Sequence, residues 1–156
     1  MIDYRFYDTS SLLLRANNLF DTKEKIAISS ITLEELENIK TSTTKDADVK
    51  YAARKLIHML NEHNGEYDIH IFKESMLKPI IEKDLSINND MKILATAIDY
   101  DNNIHPDEVV FVTNDLCLKQ IANLFFGDGI IESVDEDFDD DYAGYIDKTM
   151  TDNEME

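Results

Sequence analysis

Four acidic positions stand where a chain of this pattern could gather them into one site. Asp8 closes the aromatic run RFYD, and Asp115 closes VVFVTND. Glu34–Glu35 open the helical stretch of ITLEEL, and Asp90 opens that of INNDMKILATA. In an open parallel sheet, ligands bind outside the carboxyl ends of the strands, near the switch point in strand order. Two acids at strand ends and two at helix starts would converge on that edge. Carboxylates held together raise one another's pKa, and a divalent cation reverses the sign of the interaction. Oxygen ligands suit magnesium or manganese, and such a site can activate water and neutralise charge on a phosphate. The chemistry that follows is hydrolysis of a phosphodiester.

Each acid also has a purely structural reading. Thr32-Leu33-Glu34-Glu35 fits a capping box. Asp90 and Asp115 are good first-turn or cap residues for the helices they precede. Asp8 resists this reading best, because Thr9, Ser10 and Ser11 are on hand to cap the helix that follows.

The elements that must position these residues follow from hydrophobic period. RFYD (5–8), KIAIS (25–29), YDIHIF (67–72), VVFVT (109–113) and GIIESV (129–134) read as strands, the fourth as a strand buried on both faces. SSLLLRANNLF (10–20), TLEELENIK (32–40), MKILATAIDY (91–100) and LCLKQIANLFF (116–126) read as helices. The clearest helix places Val49, Ala52, Ala53, Leu56, Ile57 and Leu60 on one stripe. NEHNG ends it, and ESMLKPIIEKD is a helical piece interrupted at Pro79. Strands alternate with helices throughout, which predicts an α/β, three-layer Rossmann-like sandwich around a mostly parallel sheet.

A chain of 156 residues with 43% hydrophobic content suits one domain, expected over 1–134, with 135–156 an acidic tail or linker. The net charge is −18, but from Glu132 to Glu156 eleven acidic residues face only Lys148. The rest of the chain is therefore far less hostile to phosphate than the total suggests. Lys40, Lys45, Lys50, Arg54 and Lys55 gather after Glu35 and could follow the backbone of a single RNA strand; an ordinary solvated helix face is the alternative. No apolar run is long enough to span a membrane, and a cytoplasmic setting is expected. The four histidines show no ligand spacing. The lone Cys117 is expected in the core.

The four segments YDTS, ITLEEL, NDMKILATA and VVFVTND together resemble the acidic signature of the PIN domain, over about residues 4–134. That resemblance implies a metal-dependent ribonuclease fold, found in toxin–antitoxin pairs and RNA-processing nucleases. It assigns Asp8, Glu35, Asp90 and Asp115 to catalysis and to magnesium or manganese, and Thr113 to orienting the site. ITLEELENIK, YAARKLIHML and the acidic tail further resemble the PIN domain of PhoH-like proteins, which carry an ATPase domain. No G-x-x-x-x-G-K-[ST] occurs, so ATP binding is not expected of these residues. The expected activity is endoribonucleolytic cleavage of single-stranded RNA. The alternative is a weakly active or inactive RNA-binding or regulatory module serving an ATPase domain or partner. PIN domains often form homodimers, although no pattern here marks the dimer face. A haloacid-dehalogenase-like phosphatase ranks lower, since it wants a second Asp where this chain has Ser10.

Overall fold

The computed structural model describes residues 3–127 and 131–134. The C-terminal segment expected as tail or linker lies outside them. Five parallel strands, β1 (Tyr4–Tyr7), β2 (Lys25–Ser29), β3 (Asp68–His70), β4 (Val109–Val112) and β5 (Ile131–Glu132), form one sheet in the order β3-β2-β1-β4-β5. The chain steps outward from β1 to β3, then crosses back so that β4 pairs with the other side of β1. The switch point therefore lies between β1 and β4, with Asp8 and Asp115 just beyond their ends.

Period-2 alternation sorts the side chains between two helical layers. Phe6, Val109 and Phe111 pack with α5 (Asn89–Asn103) and with α6 (Leu116–Ala122). Tyr7, Val110 and Val112 pack with α1 (Thr9–Leu13), α2 (Ser30–Thr41) and α3 (Ala47–Glu62). All four residues of β4 are buried, as expected of a central parallel strand covered on both faces. A 3-10 turn at Glu74–Leu77 leads into the short α4 (Lys78–Glu82), where Pro79 sits in the first turn and leaves no hydrogen bond missing. Gly65, at φ +90°, takes the left-handed turn that follows α3.

Several expectations change. The helix expected over 10–20 stops at Leu13: Arg15 N–H reaches Leu12 O and Ala16 N–H reaches Leu13 O, tightening the chain into turns. The Arg15 side chain is drawn away to the Tyr7 hydroxyl at 2.5 Å and to Glu24 at 3.0 Å. The second helix starts two residues early, at Ser30, with Ser29 as its cap. Thr32 and Glu35 therefore do not form a capping box. The sixth helix ends at Ala122 rather than 126, and the third and fifth strands are shorter than their apolar runs. Cys117 is exposed, not in the core, because Leu118 and Ala122 define the inward face of α6.

Leu56 is fully buried in the core on the α1–α3 side of the sheet. Leu56→Ala should lower unfolding free energy by about 2–5 kcal/mol in denaturant titrations. Ile57→Ala, one position round the helix and only partly buried, should cost clearly less.

Candidate functional site at the carboxyl edge of the sheet

Asp8 follows β1 and is 3% exposed. Contrary to the sequence expectation, it is itself the N-cap of α1: its Oδ1 accepts the Ser11 N–H at 2.9 Å. Ser11 is instead spent on tertiary structure, its hydroxyl accepting the Asn114 N–H at 3.1 Å. The second oxygen of Asp8 accepts the Thr113 hydroxyl at 2.6 Å. Burial pushes the Asp8 carboxyl up, bonds from Thr113 and Ser11 pull it down, and nearby Asp115 adds to the rise.

Thr113, fully buried after β4, joins the two strand ends. Its hydroxyl donates to Asp8 and accepts the Asp115 N–H at 3.1 Å, a hydroxyl filling both of its roles. Asp115 is exposed and caps α6, its Oδ1 accepting the Cys117 and Leu118 N–H groups at 2.9 and 3.1 Å. Behind it the side-chain Oδ1 of Asn114 accepts the Val134 N–H at 2.7 Å, and the Ser133 hydroxyl donates to the Thr113 backbone oxygen at 3.1 Å.

The other two acids arrive on helices. Glu35 lies in the second turn of α2 and accepts the Thr9 hydroxyl at 2.5 Å and the Asn89 side-chain amide at 3.4 Å. Asp90 lies in the first turn of α5, whose cap is Asn88. Its carboxyl is pushed up to about 6 by partial burial and then by the charges of Glu35, Asp8 and Asp115. Asp90 thus senses all three of the other acids. Glu34 points to solvent from α2.

Asn89 and Asn114 are polar partners that the sequence did not mark, and Thr9 and Ser11, expected as capping hydroxyls, are instead bonded to Glu35 and to the Asn114 N–H. Their signal was their place beside the acids, in DTSS and in NND, together with a hydroxyl or amide at a buried strand end. Of the five basic positions, Lys40 pairs with Glu37 at 2.8 Å and Lys55 contacts Asn17. Lys45 and Arg54 are exposed, and Lys50 is half-buried on α3. The histidines lie away from the acids, for example His70 on Asp99 at 2.7 Å and His105 stacked on Tyr4.

An all-oxygen carboxylate set has the chemistry of a hard-cation site, and its mutual repulsion is what such an ion would relieve. As the side chains stand, no three His, Cys, Asp or Glu residues among those described are arranged to hold a metal ion. Both oxygens of Asp8 and both of Glu35 accept protein hydrogen bonds.

Thr113→Val keeps the shape but leaves the buried Asp8 oxygen and the Asp115 N–H without their partner. It should cost about 1–3 kcal/mol in chemical denaturation, most of it restored by Thr113→Ser. In metal-free protein, the side-chain carboxyl carbon of Asp90 should titrate near 6 by NMR, and lower in Glu35→Gln. Because its pKa in the folded state lies above the ordinary 3.8, the contribution of Asp90 to stability is full below that value and lost as pH rises through about 6.

The chain is similar in fold to one chain of VapBC2 from Rickettsia felis, solved bound to a DNA fragment from their promoter. The TM-score is 0.51 and the identity 24%, over 85% of this chain and 99% of that one. No curated protein matches it significantly. Among the described residues no helix is long and apolar enough to cross a membrane. The family model described as "PIN domain" matches residues 6–125, which take in all four acids and the switch point between them; the chain belongs to the PIN domain family.

Proposed function

We propose that this chain is an endoribonuclease that hydrolyses phosphodiester bonds of single-stranded RNA at the crevice between β1 and β4. Membership of a family of metal-dependent nucleases supports the general activity. The observation that supports the site is geometric: the Thr113 hydroxyl joins the Asp8 carboxylate to the Asp115 backbone, and Asn89, beside Asp90, reaches Glu35, so the four acids stand at one edge of the sheet.

In this reading Asp8, Glu35, Asp90 and Asp115 hold magnesium or manganese. When bound, the ion would polarise the phosphate and lower the pKa of a water. Asp8 is the fixed member, locked by Thr113 and Ser11. Asp115 is exposed, Asp90 reaches solvent although its carboxyl is partly enclosed, and Glu35 is half-buried; these three would supply the movement needed to close around a cation. Thr113 is a positioning residue, since it acts through Asp8 and Asp115. Lys45, Lys50 and Arg54, with Lys40 and Lys55 beside them, follow α2 and α3 away from Glu35 and would track the phosphates of one strand. A cytoplasmic setting fits such a substrate.

A second reading is a regulatory RNA-binding module with little cleavage, attached to or serving a PhoH-like ATPase or another partner protein. The absence of a ready three-ligand arrangement among the described residues favours it. The fold neighbour comes from a VapBC2 structure, which makes a partner protein a natural candidate.

The two readings separate in one assay. Labelled single-stranded RNA should be cleaved with manganese or magnesium, and Asp8→Asn or Asp115→Asn should slow cleavage by about 10²–10³-fold. Asn caps helices as well as Asp does, so both variants should keep the fold. Metal-dependent cleavage that survives both substitutions sinks the site assignment. Wild-type protein that binds RNA without cutting it supports the regulatory module.

A further inference from the structure

In a chain of net charge −18, residues 49–61 of α3 carry no acid. The two acids ahead of them serve the helix start: Asp46 caps it by accepting the Asp48 N–H at 2.8 Å, and Asp48 lies in the first turn, where a carboxylate is favoured. Val49, Ala52, Ala53, Leu56 and Leu60 turn to the core. Tyr51, Arg54 and His58 follow one another at i, i+3 and i+7, all exposed, and form an outward stripe about 10 Å long. Lys50 and Lys55 stand half-buried beside it.

Tyr51 is 59% exposed and is the one exposed aromatic residue among those described. Neither its ring nor its hydroxyl has a partner among them, and no acid pairs there with Lys50 or Arg54. The stripe thus holds an open ring face and open cations on the same helix.

We propose that Tyr51 is a stacking platform for an unpaired base, with Lys50, Arg54 and Lys55 holding the phosphates to either side. Cations alone attract any nucleic acid, duplex included, because the phosphate backbone carries no information about pairing. A ring face adds that information, since a base can stack on it only when it is free of its own helix. Tyr51 therefore supplies the preference for single strands that the lysines and Arg54 cannot. The helix also has the right place: α3 packs on α1, which Asp8 caps, and on α2, which carries Glu35. That a strand lying along α3 continues to the carboxylates rests on the proposed function; the stacking itself does not.

Binding measured in EDTA, where metal-dependent cleavage cannot proceed, tests the platform. Fluorescence anisotropy of a labelled single-stranded RNA should show Tyr51→Ala weakening affinity by about 5- to 150-fold, with Tyr51→Phe close to wild type. The same sequence as a duplex should bind wild type and Tyr51→Ala alike. Because the chain has no tryptophan, Tyr51→Trp places a single indole on the stripe, and unlabelled single strand should quench it saturably. Wild-type protein that binds no single strand overturns the proposal. So does Tyr51→Ala binding as wild type does, Tyr51→Phe losing as much as Tyr51→Ala, or an equal loss on duplex, each of which leaves an ordinary solvated helix face. Cleavage with manganese is read separately. A protein that stacks RNA on Tyr51 but never cuts loses only the nuclease reading, and one that cuts but is indifferent to Tyr51 loses only the platform.

Discussion

Everything at the crevice depends on the parallel pairing of β1 with β4 and on the hydroxyl that fastens their ends. Tyr4 to Tyr7 run in register with Val109 to Val112, so Asp8 and Thr113 emerge side by side. The Thr113 hydroxyl donates to the Asp8 carboxylate and accepts from the Asp115 backbone, spanning 105 residues of sequence with one side chain. Around this bridge the two caps form: Asp8 starts α1 and Asp115 starts α6. The same carboxylates therefore set helix geometry and project negative charge into the crevice.

The cost of that design is electrostatic. Capping and hydrogen bonding favour the ionised form of Asp8, while burial and Asp115 oppose it. Asp90 has no such compensation and carries the imbalance, with its carboxyl pushed up to about 6. Asp8 and Asp115 are placed there as helix caps, whereas Glu35 and Asp90 cap nothing, and four acids at one sheet edge repel one another. In the proposed reading, a bound cation would relieve that repulsion.

Much of the architecture was legible in the sequence because burial and period agreed. VVFV could only be a doubly covered strand, and the Val49–Leu60 stripe could only be a helix with one inward face. The misreadings share a cause, which is that local signals were met by tertiary partners. Arg15 ends α1 early because Tyr7 and Glu24 claim it. Ser11 is unavailable as a cap because it holds Asn114, which leaves capping to Asp8. Ser29, at the end of a buried strand, displaces Thr32 as the start of α2 and frees Glu35 to meet Thr9. The acids themselves were visible as types at positions. Their hydrogen-bonded partners were not, because nothing local tells a structural Thr or Asn from one that holds a carboxylate.

The central claim is that the four carboxylates form one cation-binding unit, and a crystal grown with manganese addresses it directly through the metal's anomalous signal. One or two manganese peaks within ligating distance of Asp8 and Asp90, with Glu35 and Asp115 turned toward them, are the predicted result. Full manganese occupancy elsewhere on the molecule, with this crevice empty and the four side chains unmoved, would contradict it.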